Sequence, residues 1–312
     1  MQRRTFLQLL AATAAPPLAY AADDELVIAV NQTTIESAAL LIQKIPGVRV
    51  RPMPSGRAAS AQLIAGTADA ATGNETQALL SSVTRTELRV VLTLAECRYR
   101  MVAHRSAGIA HVADLRGKRI AYTPNTSSQY FLLDVLRSGG VAMDEITPAL
   151  LEPTEMPPAL VEGRIDAMAI WEPQPQIALD RLGSDAIVLT NSAPDAYFER
   201  FGLNTTTAVL ENPARRAVLI NALSAINAMS RRLVADPRPY LPALAKALDT
   251  PEAVIAKVWP QFRFTARLEA DALLATFDTM EPWAAAIAKR EVRAPGVLAR
   301  AVDGSAAREA GL

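Results

Sequence analysis

The chain has 312 residues, half of them hydrophobic, and it carries 32 basic and 32 acidic side chains. This length and composition allow one large core or two medium ones. The balanced charge gives no support for nucleic-acid binding, and a single cysteine, Cys97, excludes an intrachain disulfide and disfavours a thiolate metal site.

Residues 1–21 are predicted to be an export signal of the twin-arginine type. Arg3-Arg4 precedes a short apolar run, and Ala19-x-Ala21 presents the small side chains that signal peptidase accepts. The apolar run is too short to span a bilayer. We therefore expect cleavage near Ala21 and a periplasmic protein without a stable membrane anchor, with a Sec-type signal as the alternative route.

Strands and helices alternate in the part of the chain that follows. Strands are predicted at 25–30, 48–51, 68–71, 88–94 and 98–104, and helices at 33–44, 56–65 and 74–83. The first helix is predicted to begin with a capping box, Thr33-x-x-Glu36. This alternation predicts an α/β lobe with a mostly parallel sheet that is covered on both faces.

The same pattern then begins again. Strands are predicted at 118–122, 146–151, 165–170 and 186–190, helices at 127–137, 156–162 and 173–182, and a returning strand at 204–209. From Pro213 to about Ala288 the pattern is purely helical, and the end from Arg293 is expected to fray. The predicted domains are therefore lobe 1 at 22–100 and 204–312, and lobe 2 at 101–203.

One sequence pattern occurs twice at a fixed offset. Its matching pairs are Leu63/Leu160, Gly66/Gly163, Asp69/Asp166, Ala70/Ala167 and Glu75/Glu172. We interpret the Gly-x-x-Asp part as a helix end followed by a strand entry. Two similar lobes joined by two chain crossings predict a two-strand hinge that closes on a ligand in the cleft.

Polar loops follow the predicted strands, and in open parallel sheets ligands bind beyond the carboxyl ends of strands. Three of these loops lead into helix N-termini, which attract anions such as sulfonates, carboxylates or nitrate. A carboxylate in the cleft would also suit a ligand amine, and hence a zwitterion. The candidate ligand-binding residues are Asn31, Gln32, Gly73, Asn74, Glu75, Asn125, Thr126, Ser127, Ser128, Trp171 and Glu172.

Structural roles compete with these assignments. Ser127 and Ser128 could be helix caps only, and Trp171 could be a core aromatic residue. Either Arg98 or Arg100 could reach a bound anion from the predicted hinge strand. The two histidines, His104 and His111, form no triad or metal spacing, and no Gly-rich phosphate loop occurs. We therefore expect neither catalysis nor a metal or cofactor.

Taken in order, several motifs resemble the periplasmic solute-binding proteins of nitrate, sulfonate and taurine ABC importers, the SsuA/THI5-like group. They are Leu63-x-x-Gly66-x-x-Asp69-Ala70, residues 114–121 (DLRGKRIA), Ser127-Ser128, Gly163-x-x-Asp166-Ala167 and Trp171-Glu172-Pro173. The resemblance covers about residues 25–260. It implies a type II periplasmic-binding-protein fold and a monomer that presents a cleft-bound solute to a membrane permease and its ATPase.

Two other functions stay open at this point. A ligand-sensing subunit for a membrane receptor would use the same fold. A thiamine-pyrimidine synthase would be an enzyme, and the single cysteine and the export signal argue against it. The acidic Gly73-Asn74-Glu75 loop shifts the expected ligand from a simple inorganic anion toward an anionic or zwitterionic organic solute.

Overall fold

The computed structural model of the chain describes residues 25–189 and 197–312. The described strands are β1 (Leu26–Asn31), β2 (Val48–Met53), β3 (Ala70–Asn74), β4 (Leu88–Arg98), β5 (Arg100–His104), β6 (Arg119–Tyr122), β7 (Thr147–Leu150), β8 (Ala167–Ile170), β9 (Ala186–Leu189), β10 (Phe198–Thr206) and β11 (Phe262–Arg267). The described helices are α1 (Ala38–Leu41), α2 (Gly56–Ile64), α3 (Glu75–Ser81), α4 (Ser127–Ser138), α5 (Met156–Val161), α6 (Gln174–Leu182), α7 (Thr207–Glu211), α8 (Pro213–Ala235), α9 (Leu241–Leu248), α10 (Glu252–Val258), α11 (Ala270–Ile287), α12 (Pro295–Leu298) and α13 (Ser305–Glu309). The predicted export signal lies outside the described residues. Within them, no helix is both long enough and apolar enough to cross a membrane.

The strands form two mixed sheets with the orders β11-β4-β10-β3-β1-β2 and β7-β6-β8-β5-β9. In the first sheet β1 pairs in parallel with β2 and β3, and in the second β6 pairs in parallel with β7 and β8. The remaining pairings are antiparallel. The predicted architecture of two similar α/β lobes is confirmed. The mostly parallel pairing is wrong, because β10 and β11 in the first sheet and β5 in the second run antiparallel to the strands they pair with.

Both faces of β1 are buried, which explains why its sequence is a continuous apolar run. Leu26, Ile28 and Val30 face the large core that also contains residues of α8. Val27 and Ala29 face the opposite side and pack with residues of α2. A strand covered on both faces needs apolar residues at every position, since successive side chains point to opposite faces.

The repeated Gly-x-x-Asp pattern has the same role in both sheets. Gly66 and Gly163 adopt φ values of 69° and 70°, the left-handed conformation that ends the preceding helix. Asp69 Oδ2 accepts from Val27 N at 2.8 Å, and Asp166 Oδ2 accepts from Arg119 N at 2.7 Å. Each aspartate therefore pins its strand to the neighbouring one, which confirms the architectural interpretation.

Two connections join the sheets. β4 of the first sheet ends at Arg98 and β5 of the second begins at Arg100, with the buried Tyr99 between them. The return strand, β10, begins at Phe198 rather than at the predicted position 204. Residues 207–211 form α7 instead of a strand, because the Thr206 hydroxyl caps this helix by accepting from Val209 N.

The purely helical prediction for the C-terminal region is wrong. Residues 262–267 form β11, which pairs with β4 at the edge of the first sheet. Buried Phe262 and Ala266 alternate with exposed Arg263 and Arg267 along this strand. That alternation is the pattern of an edge strand with one face on the core.

The predicted fraying after Arg293 is also wrong. The Arg293 guanidinium donates to Glu281 of α11, and Leu298 and Ala306 are buried. Asp303 N donates to the Val90 carbonyl of β4 at 3.0 Å. The last residues therefore dock onto the first sheet through apolar and backbone contacts.

Candidate functional site

A cavity of about 320 Å³ opens between the two sheets. It lies beyond the carboxyl ends of β1, β3, β6 and β8, the position where open α/β sheets bind ligands. Five of the predicted ligand-binding residues line it: Asn31, Gly73, Asn74, Thr126 and Trp171.

The N-terminus of α2 forms the basic part of the cavity wall. Ser55 caps this helix, because its hydroxyl accepts from Ala58 N at 3.1 Å. The N–H groups of Gly56 and Arg57 lie in the first turn, where a helix has no internal acceptors, and no described residue accepts from them. The exposed Arg57 guanidinium forms no ion pair within the described parts of the chain. This end of the cavity can therefore receive an anion.

Asn31 shapes the loop after β1 rather than leaving its side chain free. Its amide donates to Thr34 Oγ1 at 2.7 Å and to Glu36 Oε1 at 3.0 Å, while its carbonyl accepts from Thr33 N at 3.1 Å. The predicted capping box is wrong, because Glu36 is buried and bonds Asn31 instead of reaching back to a helix end. The predicted long helix is reduced to one 3-10 turn and the short α1.

Asn74 connects the two sheets at the cavity. Its Oδ1 caps α3 by accepting from Gln77 N at 2.9 Å. Its Nδ2 donates to Glu199 Oε1 at 2.7 Å and to Ser127 Oγ at 3.1 Å. Ser127 opens α4 and also bonds the hydroxyl of Tyr99 at 2.9 Å. One side chain on the cavity wall is thus tied to both chain connections and to a helix of the second sheet.

Ser127 and Ser128 lie behind the cavity wall and are fully buried. Ser128 Oγ accepts from Thr123 N at 2.8 Å and donates to the Ala169 carbonyl at 2.7 Å. These bonds fasten the loop after β6 and the start of α4 to β8. Both hydroxyls are therefore used in holding the binding loops in place, while the N-cap of α4 is Thr126.

Glu75 and Glu172 also lie outside the cavity lining. Glu75 accepts from the hydroxyl of Tyr197 and from Arg200 N. Glu172 accepts from Arg100 Nε at 2.7 Å in a buried ion pair. Burial raises the pKa of both carboxyl groups, and their partners oppose that rise. The shared offset of these two residues thus reflects a shared structural position at a helix start.

Gln32 and Asn125 lie in the loops beside the cavity without lining it. Gln32 is half-buried, and its backbone N–H donates to the Met53 carbonyl at 3.0 Å. Asn125 is exposed at a φ of 55°, and its N–H donates to Gln129 Oε1 at 2.8 Å. Both residues therefore fix the course of their loops.

Several lining residues were missed by the sequence analysis. Among them are Glu36, Ser55, Gly56, Arg57, Gln77, Glu152 and Glu199. Ser55 carried a usable signal, since a serine between Pro54 and Gly56 is typical of a helix N-terminus. Glu199 carried none, because it lies on the return strand, whose start was predicted too late in the sequence.

Two acidic residues of the cavity, Glu36 and Glu199, are buried and have raised pKa values. Burial raises the pKa of Glu36 to about 7, and burial together with the nearby Glu75 raises that of Glu199 to about 8. One carboxylate oxygen of each lacks a hydrogen-bond partner among the described residues. No group of three His, Cys, Asp or Glu side chains in the described parts of the chain could hold a metal ion.

Solved structures define the class of this fold. The chain is similar to the alkanesulfonate-binding protein SsuA from Xanthomonas axonopodis pv. citri bound to MOPS, with a TM-score of 0.72 and 23% identity over 93% of this chain and 99% of that one. It is also similar to the periplasmic aliphatic sulphonate binding protein SsuA from Escherichia coli, with a TM-score of 0.73 and 21% identity over 89% of this chain and 92% of that one. The fold is that of the periplasmic binding proteins.

The sequence then gives the family. The chain belongs to the NMT1/THI5-like family, whose model matches residues 47–229. A protein of Escherichia coli (strain K12) that is named for aliphatic sulfonate binding is 30% identical over 148 residues, which are 47% of this chain and 45% of the relative. The matched segments span less than half the length of the curated relatives.

Proposed function

We propose that this chain is an extracytoplasmic solute-binding protein that delivers a small anionic or zwitterionic organic solute to an ABC importer. The observation that carries the proposal is the cavity between two sheets joined by two chain connections, with an open helix N-terminus on its wall and with Arg57, which pairs with no described acidic residue. The relatives named for sulfonate binding support a sulfonate-like solute, and the donors at the start of α2 would equally suit a taurine- or carboxylate-like solute.

The anionic group of the solute would bind at the start of α2. Arg57 supplies a full positive charge, and the N–H groups of Gly56 and Arg57 supply donors that the helix cannot satisfy. The Ser55 hydroxyl accepts from Ala58 N and keeps its own proton, so it adds a further donor at this end of the cavity. A sulfonate or carboxylate has the acceptor oxygens to use several of these groups at once.

The two chain connections give the proposed delivery step its mechanics. Ligand contacts from both sheets favour the closed arrangement, because the ligand binds the closed arrangement more tightly than the open one. A membrane permease and its ATPase would then recognise the closed, monomeric protein. The predicted export signal supports a location outside the inner membrane.

The proposal is tested by thermal unfolding of the purified protein with taurine, alkanesulfonates, arylsulfonates, nitrate and aromatic carboxylates. A ligand at a hundred times its Kd adds about 2.7 kcal/mol, which raises the Tm by a few degrees for a chain of this size. Arg57→Ala should weaken binding by roughly tenfold to a hundredfold, as expected for the loss of a charge-assisted hydrogen bond of about 1.5–3 kcal/mol.

Arg85→Ala is the matched control, because Arg85 is exposed and lies after α3, away from the cavity. It should leave the affinity unchanged. Absence of any shift across the panel contradicts the solute-binding proposal, and equal losses in both variants contradict the assigned anion position. Uptake of the bound solute by cells, lost on deletion of the gene and restored by its return, tests the delivery step.

A further inference from the structure

The cavity holds more negative than positive side chains. Glu36, Glu152 and Glu199 line it together with one basic residue, Arg57. A site for a plain anion gains nothing from buried carboxylates, since they repel it and cost free energy to desolvate. Their presence beside an arginine therefore calls for a ligand that satisfies both signs of charge.

Glu36 lies on the loop after β1 with 3% of its surface exposed. Its Oε1 accepts from Asn31 Nδ2 at 3.0 Å, whereas its Oε2 has no hydrogen-bond partner among the described residues. No arginine or lysine of the described residues forms an ion pair with it. Such a buried acceptor is rarely left unsatisfied in a native protein.

Glu199 repeats this arrangement on β10. It is 1% exposed, its Oε1 accepts from Asn74 Nδ2, and its Oε2 lacks a partner within residues 25–189 and 197–312. The adjacent Arg200 is already paired with Glu96 at 3.0 Å and so does not neutralise it. Two further buried acceptors on the cavity wall, Gln77 Oε1 and Thr123 Oγ1, also lack a hydrogen-bond partner in the described parts of the chain.

We propose that Glu36 and Glu199 form a cation subsite that binds the protonated amine of a zwitterionic solute whose anionic end lies at Arg57. The inference rests on the proposed solute-binding function and narrows it to amine-bearing solutes. A primary ammonium group brings three N–H donors, which match a wall with four acceptor oxygens that have no partner among the described residues.

Protonation offers a competing account with the opposite pH dependence. The pKa values of Glu36 and Glu199, about 7 and 8, would let neutral acids donate hydrogen bonds to an anion. Glu36 faces Asn31, Thr34, Ser37 and the Cys97 thiol, and Glu199 faces Glu75, Tyr99, Tyr197 and the same thiol. None of these groups supplies a positive charge. Binding of an ammonium group should strengthen as the pH rises through 7 to 8, whereas donation by neutral acids should weaken.

The test compares ligands that differ only at the amine. Calorimetric titration measures taurine against 1-propanesulfonate, and β-alanine against butanoate, since each second compound replaces the ammonium group with a methyl group. At pH 8 at least one amine-bearing member should bind about tenfold or more tightly than its partner. Its affinity should rise between pH 6 and 8.

Glu199→Gln and Glu36→Gln should each reduce that preference about fivefold or more, because glutamine keeps the shape and loses the charge. Glu162→Gln is the control, since Glu162 is exposed and away from the cavity. If one variant fails to fold, the other variant and the pH dependence of binding to the wild-type protein still test the cation subsite.

Equal or tighter binding of the methyl compounds, or affinity that falls with rising pH, overturns the cation subsite while the proposed function stands. Binding of none of the four compounds overturns the subsite as well. If the wider sulfonate and carboxylate panel also gives no binding, the proposed function fails with it.

Discussion

The Glu281 carboxylate of α11 binds the C-terminal segment that follows this helix, and the substitution Glu281→Gln removes its charge. The carboxylate is 1% exposed and accepts from Arg290 Nη2 at 3.0 Å and from Arg293 N, Nε and Nη2 at 2.8 to 3.0 Å. Arg293 also donates to the Leu79 carbonyl and to Ser82 Oγ at the end of α3. The other end of α3 begins beside the cavity at Asn74.

The size of the expected loss in stability follows from the pKa of this carboxyl group. Hydrogen bonds from Arg290 and Arg293 outweigh the burial that opposes them and lower the pKa from 4.5 to about 2. Each unit is worth about 1.36 kcal/mol, so the ionised group contributes about 3 kcal/mol to the free energy of unfolding. The range of about 3–5 kcal/mol for breaking a buried ion pair agrees with this figure.

The direction of the pKa shift determines the pH range over which Glu281 stabilises the fold. Because the folded pKa is depressed, the contribution is fully present above the unfolded value of 4.5 and is lost as the pH falls toward about 2. Urea denaturation at pH 7 should show Glu281→Gln less stable than wild type by about 3 kcal/mol, with the difference at least halved at pH 3.

The exposed pair of Glu162 and Arg164 supplies the control, since Glu162→Gln should cost less than about 1 kcal/mol. A loss below about 1 kcal/mol for Glu281→Gln at pH 7, or a difference from wild type that does not change with pH, would refute the reasoning.

Three further changes test other parts of the account. Gly73→Ala places a Cβ 3.0 to 3.2 Å from polar atoms of Gln77, Ser60 and Asn204, of which Gln77 lines the cavity; titration should show several-fold weaker ligand binding, and affinity within twofold of wild type would contradict the assignment of Gly73 to the cavity wall. Ser128→Ala removes the hydrogen bonds that tie α4 to β8. The free energy of unfolding should fall by about 1–3 kcal/mol with little change in ligand affinity. Unchanged stability with weaker binding would make Ser128 a ligand contact. Lys257→Ala breaks a half-exposed bridge to Asp180 between α10 and α6; stability should change by less than about 1 kcal/mol, and a larger loss in a denaturant titration would contradict this.

The part of the site that the sequence predicts lies at the carboxyl ends of strands. Asn31 and Asn74 end β1 and β3, Trp171 follows β8, and the carboxyl ends of parallel strands meet at one edge. The repeated Gly and Asp positions mark where β3 and β8 begin. These features are local, so they are visible without the fold.

The residues that sequence reasoning missed depend on contacts between distant segments. Glu36 has the spacing of an exposed capping residue, yet the hydrogen bond from Asn31 turns it inward. Glu199 faces the cavity because β10 runs antiparallel between β3 and β4. Such placement depends on the strand order of the sheet, which propensity and periodicity do not encode.

Two errors in the C-terminal region have a similar origin. The Ala-rich composition concealed β11, although Phe262 and Phe264 alternate with charged and polar residues. The Gly- and Pro-containing end was predicted to fray, yet Arg293 and Leu298 anchor it to helices far away in the sequence. Tertiary contacts overrode local propensity in both cases.

The most direct test of the central claim is a crystal structure of the protein with the solute that gives the largest thermal shift. The account predicts one molecule in the cavity between the sheets, with its anionic group within hydrogen-bond distance of Arg57 and the Gly56 N–H. A solute bound outside this cavity, or bound there with its anionic group away from α2, would contradict the account.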